Sequence, residues 1–135
     1  IYYNMSNNKE QIISGTCLLL SVSKADDIID KDEIEKIKEI ISDYFSIDNL
    51  IAENIIKESL EVLEKSTDIY EFGRTLNKYF SYQDKIDFIR CTFEVAFIDK
   101  NIHYLEEHTI KKISLILNVE HADLINSKNE IKKYL

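Results

Sequence analysis

The chain has 135 residues, a formal net charge of −8, no proline, no tryptophan and only two glycines. Because proline and glycine interrupt helices and build tight turns, their scarcity excludes a turn-rich all-β fold and predicts one all-α domain. The acidic balance offers no basic stripe along which phosphates could lie, so nucleic acid is not expected as a partner.

Helical periodicity predicts about seven helices joined by short loops. The first and fifth are apolar on nearly all sides, which is typical of buried central helices, whereas the second carries an apolar stripe opposite a charged face. Ser81 is expected to cap the fifth helix and Asn118 to end the sixth. The predicted ranges are about 9–25, 31–45, 48–65, 69–80, 82–98, 104–117 and 120–135.

These helices predict a single-domain bundle over residues 9–135, and residues 1–8 are interpreted as a flexible N-terminus or as residues foreign to the domain. No apolar run is long enough to span a bilayer, and no signal peptide is recognisable. Cys17 and Cys91 lie in apolar segments without CxxC spacing. This is typical of reduced, buried thiols in a cytoplasmic protein. A disulfide between the two cysteines is the alternative if their helices are in contact.

One internal alignment superposes the two central helices and the loops that follow them. At an offset of 73 residues (99 − 26), Asp26 lies on Asp99 and Glu33 on Glu106. The acidic matches matter most, because helical periodicity alone does not require an acid at a loop. We interpret the pattern as a duplicated helical hairpin: a buried helix, an Asp, a short loop with one inward Ile, and a capped helix bearing Glu. The two inward residues are Ile29 and Ile102.

Both copies share the pattern Asp, two residues, an apolar residue, three residues, Glu. They read Ala-Asp-Asp-Ile-Ile-Asp-Lys-Asp-Glu over residues 25–33 and Ile-Asp-Lys-Asn-Ile-His-Tyr-Leu-Glu over residues 98–106. The pattern occurs twice, each time after a buried helix, in an acidic all-helical domain. In this the chain resembles the tellurite-resistance TerB-like family, and the resemblance covers about residues 12 to 126. The resemblance implies a seven-helix fold, an acidic cluster suspected of binding a divalent cation, and no established catalysis. It also implies association with stress-response or membrane-linked systems, and a related domain precedes some DnaJ-like co-chaperones.

Five carboxylates are the candidate ligands of a divalent cation, either Ca²⁺ or Mg²⁺. Such ions take several oxygen ligands, and clustered carboxylates repel one another unless a cation lies among them. A structural interpretation stays open, because a Glu at the third helical position can cap the helix and an Asp can accept N–H bonds within its loop. The candidates are Asp26, Asp30, Glu33, Asp99 and Glu106.

The favoured function is a non-enzymatic binding scaffold, linked to stress response by the resemblance, that recognises a cation or a protein partner through the two loops. The alternative is a protein-interaction or regulatory domain of a chaperone-linked or membrane-linked protein, without metal. Nucleophilic catalysis is not indicated, because GxSxG, P-loop and Cys–His patterns are absent from the sequence. A hydrolase that uses the abundant carboxylates is a third hypothesis.

Overall fold

The computed structural model describes residues 5–26, 29–99 and 101–134, with side chains over 9–25, 29–98 and 101–134, and this part of the chain contains helices and no strand. A 3₁₀ turn follows α1 (Lys24–Asp26) and another follows α5 (Phe97–Asp99). The predicted all-α domain is confirmed, although α1 begins at Met5 rather than at Lys9. The helices are α1 (Met5–Ser23), α2 (Lys31–Tyr44), α3 (Asn49–Lys65), α4 (Tyr70–Tyr79), α5 (Tyr82–Ala96), α6 (Tyr104–Ile116) and α7 (His121–Lys132).

The two central helices predicted from the sequence are α1 and α5. α1 packs against α2, α3, α4, α5 and α6, and α5 packs against α1, α2, α6 and α7. Side chains on several faces of α1 are therefore inaccessible to solvent, and the large aromatic residues of α5 fill the space between its neighbours. The fully buried large side chains on these helices are Leu18, Leu19, Leu20, Phe88, Ile89 and Phe93.

The halves of the chain have matching element boundaries. The two 3₁₀ turns begin at Lys24 and Phe97, and α2 and α6 begin at Lys31 and Tyr104. Both pairs are separated by the offset at which the sequence aligns with itself. The duplicated hairpin stays a prediction, because equal spacing of elements describes the present fold and not its origin.

One of the two loop isoleucines does not face the core as predicted. Ile102 packs against the core. Ile29, in contrast, is 41% exposed, so the predicted inward orientation is wrong for it. The apolar residue at this position of the pattern therefore packs against the core in the second loop only.

The N-termini of α2 and α5 are capped by side chains. The Oδ1 atom of Asp30 accepts the N–H of Asp32 at 2.8 Å. Ser81 Oγ accepts the N–H of Asp84 at 3.1 Å, and Asp84 Oδ2 accepts the N–H of Ser81 at 3.0 Å. The predicted Ser81 cap is thus confirmed as a reciprocal capping box, which satisfies N–H groups that the helix cannot satisfy itself.

Two helices end in a left-handed residue that is not glycine. Asn118 follows α6 with φ 59°, and Ser46 follows α2 with φ 55°. In each case the next N–H returns to a carbonyl of the last turn, at 2.9 Å from Val119 and 3.0 Å from Ile47. Asn tolerates this conformation because its short polar side chain bonds locally, which agrees with the predicted cap at Asn118.

Gly73 allows α4 and α6 to approach closely. A Cβ added at Gly73 would lie 2.2 Å from Cγ2 of Ile116. The same junction is held by Asn77, whose Nδ2 donates to the carbonyl oxygen of Ile116 at 2.9 Å. The glycine therefore supplies space at a helix contact, and its helical position alone does not require it.

We expect Gly73→Ala to lower the free energy of unfolding by about 1–3 kcal/mol, because the new methyl group overpacks against Ile116. Gly15→Ala is the matched control, since a Cβ there would lie 3.4 Å from atoms of Phe45 and Phe88, an ordinary contact. The control should change stability by no more than about 1 kcal/mol. Urea unfolding measures both variants.

Adding Ile116→Ala to Gly73→Ala should recover part of the loss, because it removes the atom that the new methyl group meets. A Gly73→Ala protein as stable as the parent would show that α4 and α6 are not in close contact.

Candidate functional site

The two acidic loops lie against each other's hairpins. The 3₁₀ turn that ends at Asp26 packs against α6, and the 3₁₀ turn that ends at Asp99 packs against α2. On that second contact, Ile98 lines an open surface cavity together with Asp32 and Glu35 of the first half of α2. Each 3₁₀ turn therefore lies beside the helix that follows the other turn, so the two turns share one end of the bundle.

Glu33 and Glu106 are buried, each with only 5% of its surface exposed. Their positions beside the loops predict exposed side chains, and that expectation is wrong. The reason is helical spacing: Ile37 and Ile110 follow four residues later on the same faces, and both are fully buried. The apolar residue one turn on was the signal that would have indicated burial of these carboxylates.

A buried carboxylate is costly unless neighbouring donors compensate its charge. Both glutamates lie in the first turn of a helix, where backbone N–H groups and the helix dipole favour negative charge. Oε1 of Glu106 accepts the N–H of His103 at 3.3 Å, and Nδ1 of His103 accepts the N–H of Leu105 at 3.2 Å. The structural interpretation of Glu106 as a capping residue is therefore confirmed.

The candidate ligands fall into two groups. Asp30 caps α2, and Glu33 and Glu106 are buried behind the loops, whereas the side chains of Asp26 and Asp99 lie outside the described ones. Among the described residues, no group of three or more His, Cys, Asp or Glu side chains could hold a metal ion. The five-carboxylate site of the sequence interpretation accordingly stays a prediction that depends on Asp26 and Asp99.

The cysteines are free thiols on the two central helices, which touch. Burial raises the pKa of Cys17 to about 12, and its thiol donates to the carbonyl oxygen of Ser59 at 3.5 Å. Burial also raises the pKa of Cys91 to about 12, with a further contribution from the charge of Glu94. The prediction of a buried thiol is confirmed for Cys17, whereas Cys91 is only partly buried.

We expect both thiols to react with a disulfide reagent such as DTNB more than about a hundredfold more slowly than free cysteine at pH 8, since only the thiolate attacks. Unfolding in guanidinium should restore reaction of two thiols per chain. Fast labelling of the native protein would contradict the raised pKa values of Cys17 and Cys91.

Comparison with family models identifies the fold. Residues 13–129 match the model described as tellurite resistance protein TerB. The chain belongs to the TerB family. The match begins within α1, ends within α7 and includes both acidic loops. No curated protein and no solved structure gave a significant match. In the described part of this TerB-family chain, no helix is both long and apolar enough to cross a membrane.

Proposed function

We propose that this TerB-family protein is a non-enzymatic binding scaffold whose two acidic loops hold one divalent cation, Ca²⁺ or Mg²⁺. The observation that carries the proposal is the exchange of the loops between hairpins, with Glu33 and Glu106 buried behind them. The carboxylates at this end of a chain of net charge −8 favour a cation over an anion as the ligand. The cytoplasmic location and the stress-response link expected from the sequence belong to the same proposal.

The chemistry of the loop residues fits a hard cation. Carboxylate oxygens are the ligands that Ca²⁺ and Mg²⁺ prefer, and sulfur or imidazole ligands are not needed. Asp26 and Asp99 would supply direct ligands, while Glu33 and Glu106 would supply buried negative charge or further oxygens. Asp30 retains its capping bond to Asp32 and would contribute through its second oxygen. The bound cation would supply positive charge that joins the two hairpins.

A metal-free protein-interaction domain is the second candidate. It is supported by exposed apolar side chains close to the same loops: Tyr104 is 74% exposed, and Ile29 and Leu105 are also exposed. The ring of Tyr104 stacks on His103, the residue that caps α6. Such side chains next to acidic loops would suit a partner that is apolar at its centre and basic at its rim.

Thermal unfolding in millimolar Ca²⁺ or Mg²⁺, compared with Na⁺ at matched ionic strength, tests the cation proposal. A cation that binds only the folded state stabilises it by about 2.7 kcal/mol at a hundredfold excess over Kd. We expect a rise in midpoint specific to a divalent ion, because general screening would act equally for all three salts.

Asp26→Asn combined with Asp99→Asn should abolish this rise. Glu64→Gln is the control: it removes one exposed carboxylate in the last turns of α3, where Val62 and Ser66 lie beside the start of α1, at the end of the bundle opposite the loops. The control should keep the full response. Identical unfolding curves in all three salts would refute the cation and favour the metal-free interaction domain.

A further inference from the structure

A partly open cavity of about 390 Å³ lies between α1, the end of α2, the end of α4 and the start of α5. This position is at the end of the bundle opposite the acidic loops, because α1 and α2 have their other termini there. The volume falls within the roughly 300–1,000 Å³ range of small-molecule sites. Its lining residues are Gln11, Tyr44, Phe45, Ser46, Tyr79, Phe80, Asp84 and Asp87.

Half of the lining residues are aromatic, and their rings face in different directions. The ring of Tyr44 meets that of Phe45 at 5.0 Å and 67°, and that of Phe80 at 6.1 Å and 35°. Tyr79 adds a fourth ring at the solvent edge, with its hydroxyl directed to Glu10 at 3.5 Å. Aromatic faces carry negative partial charge, so a space lined by several aromatic residues is suited to a cation.

The walls also carry net negative charge. Asp84 and Asp87 line the cavity, and no Lys or Arg is among its lining residues in the described part of the chain. Asp84 caps α5 through Oδ2, and Asp87 Oδ1 accepts from Gln83 at 3.0 Å and pairs with Arg90 at 3.4 Å. The charged lining residues are therefore two carboxylates, and Arg90 beside Asp87 offsets part of their charge.

The aromatic walls are fixed before any ligand arrives. The hydroxyl of Tyr44 donates to the carbonyl oxygen of Asp84 at 3.1 Å, and burial together with the charge of Asp84 raises the pKa of Tyr44, which keeps that donor protonated. The left-handed turn at Ser46 ends α2 and directs Phe45 against α1 at Gly15. A preformed wall saves the entropy of ordering side chains on binding.

We propose that this cavity, defined by Tyr44, Phe45, Tyr79 and Phe80 with Asp84 and Asp87, binds a methylated ammonium group. Aromatic faces with nearby carboxylates are the general means by which proteins recognise quaternary ammonium. A small inorganic cation is less suited, because carboxylate oxygens of Asp84 and Asp87 already accept bonds from the protein and the ring faces supply no ligand to replace its hydration shell. The group can belong to a free quaternary amine or to a methylated lysine of another protein.

Titration of the full chain with choline, followed by ¹H–¹⁵N chemical shifts, tests the proposal. We expect saturable shifts at residues of the cavity and upfield movement of the choline methyl signal. The neutral isostere 3,3-dimethylbutan-1-ol has the same shape without the charge, and should bind at least about fivefold more weakly. Equal binding of the isostere, or no saturable binding of any quaternary ammonium probe, would overturn the proposal.

Tyr79→Leu and Asp87→Asn should each weaken choline binding by about threefold to tenfold. Both residues lie at the accessible edge, so these changes should leave the fold intact. Tyr70→Leu is the matched control, an exposed tyrosine at the other end of α4, and should bind choline as the parent does. If Tyr79→Leu binds as tightly as the parent, the aromatic walls do not hold the ligand and the proposal fails.

A trimethyllysine peptide, compared with the same peptide unmethylated, distinguishes the two sources of the group. Preference for the methylated peptide over choline indicates a protein partner, and equal or weaker binding of the peptide indicates a free amine. Both results support the site. The calcium response should be unchanged in Tyr79→Leu, so failure of the ammonium site and failure of the cation site at the loops can be told apart.

Discussion

Burial of α1 on nearly all sides is the constraint on which the other features depend. A helix in contact with five others has almost no solvated face, so Cys17 through Leu20 must all be small or apolar. Their burial at roughly 25 cal/mol per Å² of apolar surface provides the main driving force for assembly of the bundle. The burial of α1 also fixes where its two ends lie. The loops next to those ends, which lead into and out of the neighbouring helices, are thereby placed as well.

At one end, this positioning forces carboxylates into the interior. Glu33 occupies the same helical face as Ile37, and the packing that buries Ile37 buries Glu33 with it. The first turn of a helix is the place in a bundle where a buried carboxylate costs least, because uncompensated N–H groups point toward it. Structural capping and cation binding are therefore compatible roles: the cap keeps the charge tolerable, and the charge remains a source of attraction for a cation.

The sequence predicted the helices, their central pair and the cap at Ser81 well, because these depend on local periodicity and on side chain to backbone bonds a few residues apart. The sequence did not predict the burial of Glu33 or the exposure of Ile29. Both depend on which face of the segment packs against a helix that is distant in the sequence. The aromatic cavity was missed for a related reason. Tyr44, Phe80 and Asp84 come from three separate segments of the chain, and the helical spacing of the aromatic residues indicates only a core.

Both ends of the bundle carry carboxylates, but the groups that surround those carboxylates differ. Around Glu33 and Glu106, negative charge comes from carboxylates in short polar loops, which suits a small ion that keeps oxygen ligands. Around Tyr44 and Phe80, it comes from carboxylates behind aromatic rings, which suits a cation with a methylated surface and a weak hydration shell. Because the acidic chain attracts every cation over a Debye length of about 8 Å at physiological salt, discrimination must arise within the sites themselves. The nature of the walls, oxygen at one end and aromatic carbon at the other, is what would separate the two ligands.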